Sequence, residues 1–349
     1  MEIVDTPEQA AALPLAPLLV VEPLRDWLDG TGLGSGSLTA TRIGEGQSNV
    51  TFLVERGDGT RFVLRRPPRP PLPPSAHDML REATVQRSLR GAGARVPEIL
   101  AVCEDESVLG VRFYVMAFVS GDVITAVVPA PLDEPPGRAA IAAELVDALA
   151  EIHDVDFVAA GLESFGKATG YLERQVRRFA GLWEVNATRE LPQVAELATW
   201  LEANRPESDS ATVVHGDYRL GNVVLAAGAP ARLAAVLDWE LATIGDPLAD
   251  VGYLVSTWAG SPLALTPVTR LAGFPGRDEL ADLYEERSGR SMRRLGWYEA
   301  LALWKSAVFC EAIYGRYLRG ERGADDPFGR SLERGVPALL DAATLAASQ

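Results

Sequence analysis

The sequence predicts an α+β chain in two lobes, a small β-rich one followed by a larger, mainly helical one. Three observations predict it. A chain of 349 residues is too long for one ordinary core and short for three. Strand-like runs separated by turn signals are confined to residues 38–119. From about residue 137 onward the apolar residues recur at helical period. A hydrophobic content of 47% and a charged content of 23% are ordinary globular values.

A helical stretch is expected over about 7–29. Residues 38–43, 50–55 and 61–65 are rich in β-branched and aromatic side chains. Gly44-Glu45-Gly46 and Gly57-Asp58-Gly59 supply the turns between them, giving three consecutive antiparallel strands. The Pro-rich piece 67–74 cannot be a helix interior and reads as a stiff connector. A helix follows over 75–89, with Ser75 as N-cap and Gly91 near its end. Segments 97–103 and 111–119 resume strand character, completing a five-stranded antiparallel sheet with one inserted helix. The first lobe therefore takes residues 1–118 and the second 119–349.

In the second lobe, Ile141, Leu145, Val146, Leu149 and Ile152 form an apolar stripe on a helix over 138–153. Helices are also expected over 171–185, 193–203, 247–258, 277–288 and 296–319. Short strands at 212–214 and 233–237 flank residues 222–225. No internal repeat is visible.

A formal net charge of −15 argues against nucleic acid as a partner, because such binding needs clustered Lys and Arg. The start lacks a basic segment, and the apolar run 13–21 is too short and Pro-broken to span a bilayer. Cys103 and Cys310 are too few and too far apart for a disulfide framework or a zinc site. A cytoplasmic protein with no membrane partner is the expectation. The three His residues, His77, His153 and His215, lie near no Gly-x-Ser-x-Gly elbow, so a Ser-His-Asp hydrolase has no support.

The chemistry concentrates in residues 213–241. His215-Gly216-Asp217 is followed by Asn222 five residues after the Asp, and Leu237-Asp238-Trp239-Glu240 follows the next apolar run. Asp is common at turns and caps, and either Asp alone reads as that. Two carboxylates and an Asn on loops beside short apolar strands form a site instead. Phosphoryl transfer requires a carboxylate to orient the attacking hydroxyl and accept its proton, and oxygen ligands for magnesium. Asp217 suits the first role; Asn222 and Asp238 suit the second. Glu240 could face either metal or substrate.

The spacing His215-Gly216-Asp217 to Asn222, then Asp238, resembles the aminoglycoside phosphotransferase and choline kinase superfamily, distant relatives of protein kinases. Gly44, Gly46, Ser48 and Asn49 resemble its phosphate-covering hairpin. Glu82 lies where the first-lobe helix supplies an ion-pairing Glu, and Tyr114, Met116, Phe118 and Gly121 resemble the hinge. His153 and the stretch Gly245-Asp246-Pro247 to Asp250 also fit. More narrowly, Val63-Leu64-Arg65-Arg66-Pro67-Pro68, Phe165-Gly166-Lys167 and Tyr171 to Gln175 resemble the subgroup fused to, or found beside, acyl-CoA dehydrogenases.

The resemblance implies a protein-kinase-like two-lobed fold that binds ATP and Mg2+ and phosphorylates a small-molecule hydroxyl. ATP would lie between the lobes, its adenine edge against the backbone near Met116 and Phe118, with Gly44 and Gly46 letting a hairpin approach the phosphates. Asp217 would be catalytic, while Asn222 and Asp238 would hold the metal. Asp250 would brace the catalytic loop and His215 would be structural. The family's third-strand Lys is absent; Arg65, with Arg66 as the next candidate, takes its place opposite Glu82, and Arg does not place charge as Lys does. That departure supports the alternative of a non-catalytic pseudokinase binding nucleotide or metabolite.

The acceptor stays open between an aminoglycoside and a hydroxyacyl-CoA-like metabolite. Arg174, Arg177 and Arg178 could meet an anionic CoA or form a solvated face. The Trp297, Leu301, Trp304, Val308, Glu311, Tyr314 stripe reads as core.

Overall fold

The computed structural model describes residues 2–44, 48–70, 72, 77–208, 210–322 and 325–349. It divides into two compact units, Met1–Ser120 and Gly121–Gln349. Among the described residues no helix is long and apolar enough to cross a membrane.

The first unit opens with strand β1 (Ile3–Val4), helix α1 (Pro7–Ala11), strand β2 (Leu19–Val20) and helix α2 (Val21–Thr31). The single helix expected over 7–29 is thus two, with β2 between them, paired in parallel with β1 ahead of α1. Pro14 and Pro17 account for the break, since neither can donate in a helix interior. A sheet follows: β3 (Leu38–Ile43), β4 (Val50–Arg56), β5 (Arg61–Arg66), then helix α3 (Met79–Gly91), β6 (Ile99–Cys103) and β7 (Phe113–Ala117). The sheet is five-stranded and antiparallel throughout, in the order β3-β4-β5-β7-β6. Helix α3 begins later than its predicted start because Asp78, accepting from Arg81 N at 3.0 Å, is the N-cap. The Ser75 cap expected from the sequence lies outside the described residues, as does Gly46 of the first hairpin.

Strand alternation sorts β5 onto two cores. Phe62 and Leu64 join Leu24, Leu28, Phe52, Val54, Phe113 and Val115 on one face. Val63 joins Met79, Ala83, Tyr114 and Met116 on the other. Arg65 and Arg66 are carried to opposite faces by the same alternation.

The second unit is mainly helical: α4 (Pro135–His153), α5 (Tyr171–Asn186) and α6 (Gln193–Ala203). Four short strands then appear, β8 (Thr212–Val214), β9 (Val223–Leu225), β10 (Leu233–Val236) and β11 (Thr243–Gly245). They pair antiparallel as β9 with β10 and β8 with β11. Helices α7 (Leu248–Ser256), α8 (Arg277–Ser288), α9 (Leu295–Leu318) and α10 (Pro327–Ala347) complete it. The aromatic stripe of α9 is core: Trp297, Leu301, Trp304 and Val308 are buried against α5, α6 and α10.

Helix α10 was not expected, because Pro337 stands in its middle. That Pro cannot donate to the carbonyl of Glu333 four residues back. Arg189 does so instead, donating to Glu333 O at 2.7 Å and to Leu332 O at 3.1 Å, while its other edge holds the buried Glu311 carboxylate at 2.9 Å. Strand β11 was likewise missed, being three residues long with no alternation to read.

Candidate active site

The catalytic-loop candidates all lie in the second unit. Strand β8 delivers the chain to His215, Gly216 and Asp217. Asp250, in the first turn of α7, is fully buried and accepts from His215 N at 2.7 Å and Gly216 N at 2.8 Å. His153 Nε2 stands 3.2 Å from the same carboxylate, and its Nδ1 meets the Tyr284 hydroxyl at 2.6 Å. Burial alone would raise the pKa of Asp250; the His153 contact, the charges of His153 and His215 and the Gly216 N–H outweigh it and hold it below the usual range. Gly216 has φ of 86°, and a Cβ there would meet Leu241 at 2.9 Å, so the bend needs glycine.

Both ring nitrogens of His215 are engaged. Nε2 donates to Leu237 O at 2.8 Å, and Nδ1 accepts from Asp217 N at 3.2 Å. The ring therefore ties the loop to the end of β10 and has no nitrogen left for proton transfer.

Asp217 is half-buried, with three groups around its carboxylate. Asn222 Nδ2 donates to Oδ2 at 2.7 Å and to the Asp217 backbone carbonyl at 2.8 Å. Arg219 Nε lies 3.5 Å from Oδ1. The Tyr253 hydroxyl on α7 is also close; burial first and the Asp217 charge second push its pKa well up, so it stays protonated. Asn222 turns its nitrogen toward Asp217, and among the described residues its amide oxygen, a hard donor, takes no hydrogen bond.

The β9–β10 hairpin brings Asn222 and Asp238 to one end. Val223 registers with Val236, and Leu237 N donates to Asn222 O at 2.8 Å. Asp238 follows with φ of 66°, a left-handed conformation uncommon for a non-glycine residue and frequent at functional turns. Trp239 is buried beneath it, its ring 4.6 Å from that of His215. Among the described residues no group of three or more His, Cys, Asp or Glu gathers as a metal site. One carboxylate and one amide oxygen beside a polyphosphate is instead the donor set that suits magnesium.

Within the first unit, Arg65 Nε pairs with Glu82 Oε1 at 2.7 Å, both nearly fully buried. Asn49 Nδ2 lies 3.4 Å from Glu82 Oε2, and Asn49 Oδ1 lies 2.8 Å from His77 Nδ1. Arg66 is elsewhere: it donates to Pro67 O at 3.0 Å, Leu109 O at 3.3 Å and Leu18 O, and burial lowers its pKa to about 10. Of the two Arg candidates only Arg65 faces the helix Glu. Gly44 has φ of 75° and open space around it. Ser48 is half-buried, Met116 is buried with Val63, and the Arg61 guanidinium sits 4.6 Å above the Phe118 ring.

Arg219 and Tyr253 were not singled out by sequence reasoning. Arg219 stood inside the motif as a spacer. Tyr253 follows Asp250 by three residues, a spacing that puts both on one helix face and could have flagged it. Of the basic trio on α5, Arg174 donates to the Lys167 and Thr169 carbonyls and Arg177 pairs with Glu173; Arg178 is exposed. A cavity of about 600 Å3 lined by Thr169, Tyr171, Glu173, Arg205, Ser208 and Ala211 includes none of the catalytic-loop residues.

A kinase-like fold, a braced carboxylate loop and an Asn–Asp pair define a phosphotransferase. The chain belongs to the phosphotransferase enzyme family, which it matches over residues 39–283. It is 37% identical over 300 residues to acyl-CoA dehydrogenase family member 11 of Rattus norvegicus, covering 83% of this chain and 38% of that protein. The chain thus spans well under half the length of that relative. A Ralstonia eutropha JMP134 protein provisionally named an aminoglycoside phosphotransferase superimposes with a TM-score of 0.76 at 30% identity, covering 93% of this chain and 98% of that one. An aminoglycoside phosphotransferase solved with AMP-PNP and hygromycin B shares the fold, with a TM-score of 0.59 at 18% identity over 91% of this chain and 98% of its own.

Proposed function

We propose that the chain is an ATP- and Mg2+-dependent kinase that transfers the γ-phosphate to a hydroxyl of a small molecule. The observation that carries this is the Asp217 carboxylate, oriented by Asn222, Arg219 and Tyr253 on a loop that Asp250 pins from below. Asp217 holds the acceptor hydroxyl and takes its proton as that oxygen bonds to the γ-phosphorus and the bridging bond to ADP breaks. Asn222 and Asp238 would hold Mg2+, which would supply positive charge to neutralise the phosphates. Arg65, fixed by Glu82, supplies the cation for the nucleotide phosphates, beside Gly44, Gly46, Ser48 and Asn49. Met116 and Phe118 border the adenine. Residues 1–118 thus serve the nucleotide, and 119–349 carry catalysis, metal and acceptor.

The likeness to acyl-CoA dehydrogenase family member 11 favours a hydroxyacyl-CoA-like metabolite as acceptor; the aminoglycoside phosphotransferase likeness supports a drug-like one. The free thiols Cys103 and Cys310 suit a cytoplasmic enzyme. Arg65 in place of Lys favours one other reading, a pseudokinase that binds nucleotide or metabolite without turnover. Asp217, Asn222 and Asp238 count against it, since a pure binder needs no proton acceptor. Mg-ATP consumption measured against panels of aminoglycosides and hydroxyacyl-CoA thioesters decides. Turnover that Asp217→Ala abolishes supports the kinase and selects the acceptor class; turnover unaffected by the substitution refutes the role of Asp217.

A further inference from the structure

A row of polar contacts runs behind the Arg65 guanidinium in the first unit. Arg65 Nε pairs with Glu82 Oε1 at 2.7 Å, and Asn49 Nδ2 donates to Glu82 Oε2 at 3.4 Å. Asn49 Oδ1 in turn meets His77 Nδ1 at 2.8 Å. Asn49, Arg65 and Glu82 are all buried, and His77 stands half-buried at the outer end of the row.

The neighbours assign each proton in this row. The Asn49 group beside the Glu82 carboxylate is the NH2, because an ionised carboxylate only accepts. The Asn49 group facing His77 is therefore the carbonyl, which places a proton on His77 Nδ1. Burial first and the Arg65 charge second lower the pKa of His77, which favours the neutral ring with that single N–H. His77 thus orients the Asn49 amide, the amide orients Glu82, and Glu82 orients Arg65. From β7 the Tyr114 hydroxyl, kept protonated by burial and by the Glu82 charge, approaches the same carboxylate.

The backbone at His77 is unusual for a connecting residue. Its φ is 58°, and among the described residues only His77 and Asp238 combine a side chain with the left-handed region. Such a conformation persists where the surroundings impose it, and it clusters at functional sites. Asp78, the next residue, caps α3 by accepting from Arg81 N at 3.0 Å, which anchors His77 from one side. Asn49 immediately precedes β4, where Thr51 registers with Arg65. The row therefore joins the entry to β4, strand β5 and the start of α3, so that freedom at His77 reaches Arg65 through two intermediates.

We infer that His77 is a positioning residue that holds Arg65, through Asn49 and Glu82, in the orientation that receives the nucleotide phosphates. This rests on the proposed role of Arg65 as the cation for those phosphates. A Lys ammonium is a point charge with rotatable donors, whereas a guanidinium offers its donors in one fixed plane and has to be aimed. An Arg in this place therefore calls for a firmer hold on the helix Glu than a Lys does. A His77 that merely closes the loop before α3 would change the melting temperature and leave phosphate affinity alone.

The test is calorimetric titration of the full chain with Mg-AMP-PNP and with adenosine, which has no phosphates. His77→Phe keeps a ring without the N–H, and His77→Gly suits the left-handed backbone without any side chain. Both should weaken Mg-AMP-PNP binding about three- to tenfold, as the loss of one hydrogen bond to a buried group does, and leave adenosine binding unchanged. His77→Asn carries an amide N–H close to the position of Nδ1 and tolerates the same backbone, so it should restore Mg-AMP-PNP affinity to within about twofold of native. In the Arg65→Met, Glu82→Leu double variant, adding His77→Gly should change neither probe further. Thermal melting confirms that each variant folds. Native Mg-AMP-PNP affinity in His77→Phe and His77→Gly, an equal loss for adenosine, failure of His77→Asn to restore binding, or a full His77→Gly effect in the double variant would each overturn the inference. A preference for Mg-AMP-PNP over adenosine that survives in the double variant refutes the phosphate role of Arg65 and the inference with it; a preference that needs Arg65 but not His77 overturns the inference alone.

Discussion

Asp217 is useful only because its neighbours fix it. Asn222 occupies one oxygen, Arg219 approaches the other, and the protonated Tyr253 hydroxyl lies alongside. Asp217→Asn keeps the size and loses the proton acceptor, so kcat should fall by about 10²- to 10⁴-fold. Tyr253→Phe removes one neutral hydrogen-bond donor and should cost about tenfold or less. Steady-state kinetics of the two variants, set side by side, rank these contributions. The motif that singled out Asp217, Asn222 and Asp238 was legible because Asp217 and Asn222 stand five residues apart and Asp238 directly follows the next apolar run. Tyr253 was not, since its approach to Asp217 depends on how α7 packs. The choice between Arg65 and Arg66 was open in sequence for a related reason. It is decided by strand phase, which sends Arg65 toward Glu82 and Arg66 toward the carbonyls of Leu18 and Leu109.

At the scale of elements, two buried features set the energetics. The Arg65–Glu82 pair joins β5 to α3 where both side chains are almost wholly shielded. Arg65→Met leaves a buried carboxylate without its cation and should destabilise by about 3–5 kcal/mol. Arg65→Met combined with Glu82→Leu should recover most of that loss in a denaturant titration, and a double variant no more stable than the single one would contradict the account. The second feature is the close crossing of α7 on α9. A Cβ on Gly252 would stand 2.6 Å from the Tyr298 backbone, so Gly252→Ala must push the helices apart and should cost about 1–3 kcal/mol by the same measurement. Strands β3, β4 and β5 were read from sequence almost to the residue, because glycine turns separate them, whereas β6 starts two residues later than expected and β7 is two residues shorter at each end. Helix α10 escaped because a proline in its middle is ordinarily a breaker, and the Arg189 side chain that compensates it comes from 148 positions before Pro337, counted as 337 minus 189.

For the whole molecule, a strongly acidic chain that keeps one desolvated lysine has a testable alkaline signature. The pKa of Lys305 falls from an ordinary 10.5 to about 8 on folding, with burial as the main cause. Between these values the unfolded chain holds a proton that the folded chain has released, so stability from this group rises with pH over that window; below pH 8 the penalty is fully present. The melting temperature of the native chain, compared with Lys305→Met at each pH, should gain ground from about pH 8 toward 10.5 and stay parallel below it. The family match and the kinase-like fold support the proposal of phosphoryl transfer, with Asp217 on its braced loop as the proposed proton acceptor. The most direct measurement follows γ-³²P from ATP in the presence of Mg2+ into an organic phosphate, with native chain and Asp217→Asn run together over the acceptor panels. Label appearing on an alcohol acceptor with the native chain and nearly absent with Asp217→Asn is the predicted result. Nucleotide binding with no transfer to any acceptor, or transfer that survives Asp217→Asn, would contradict it.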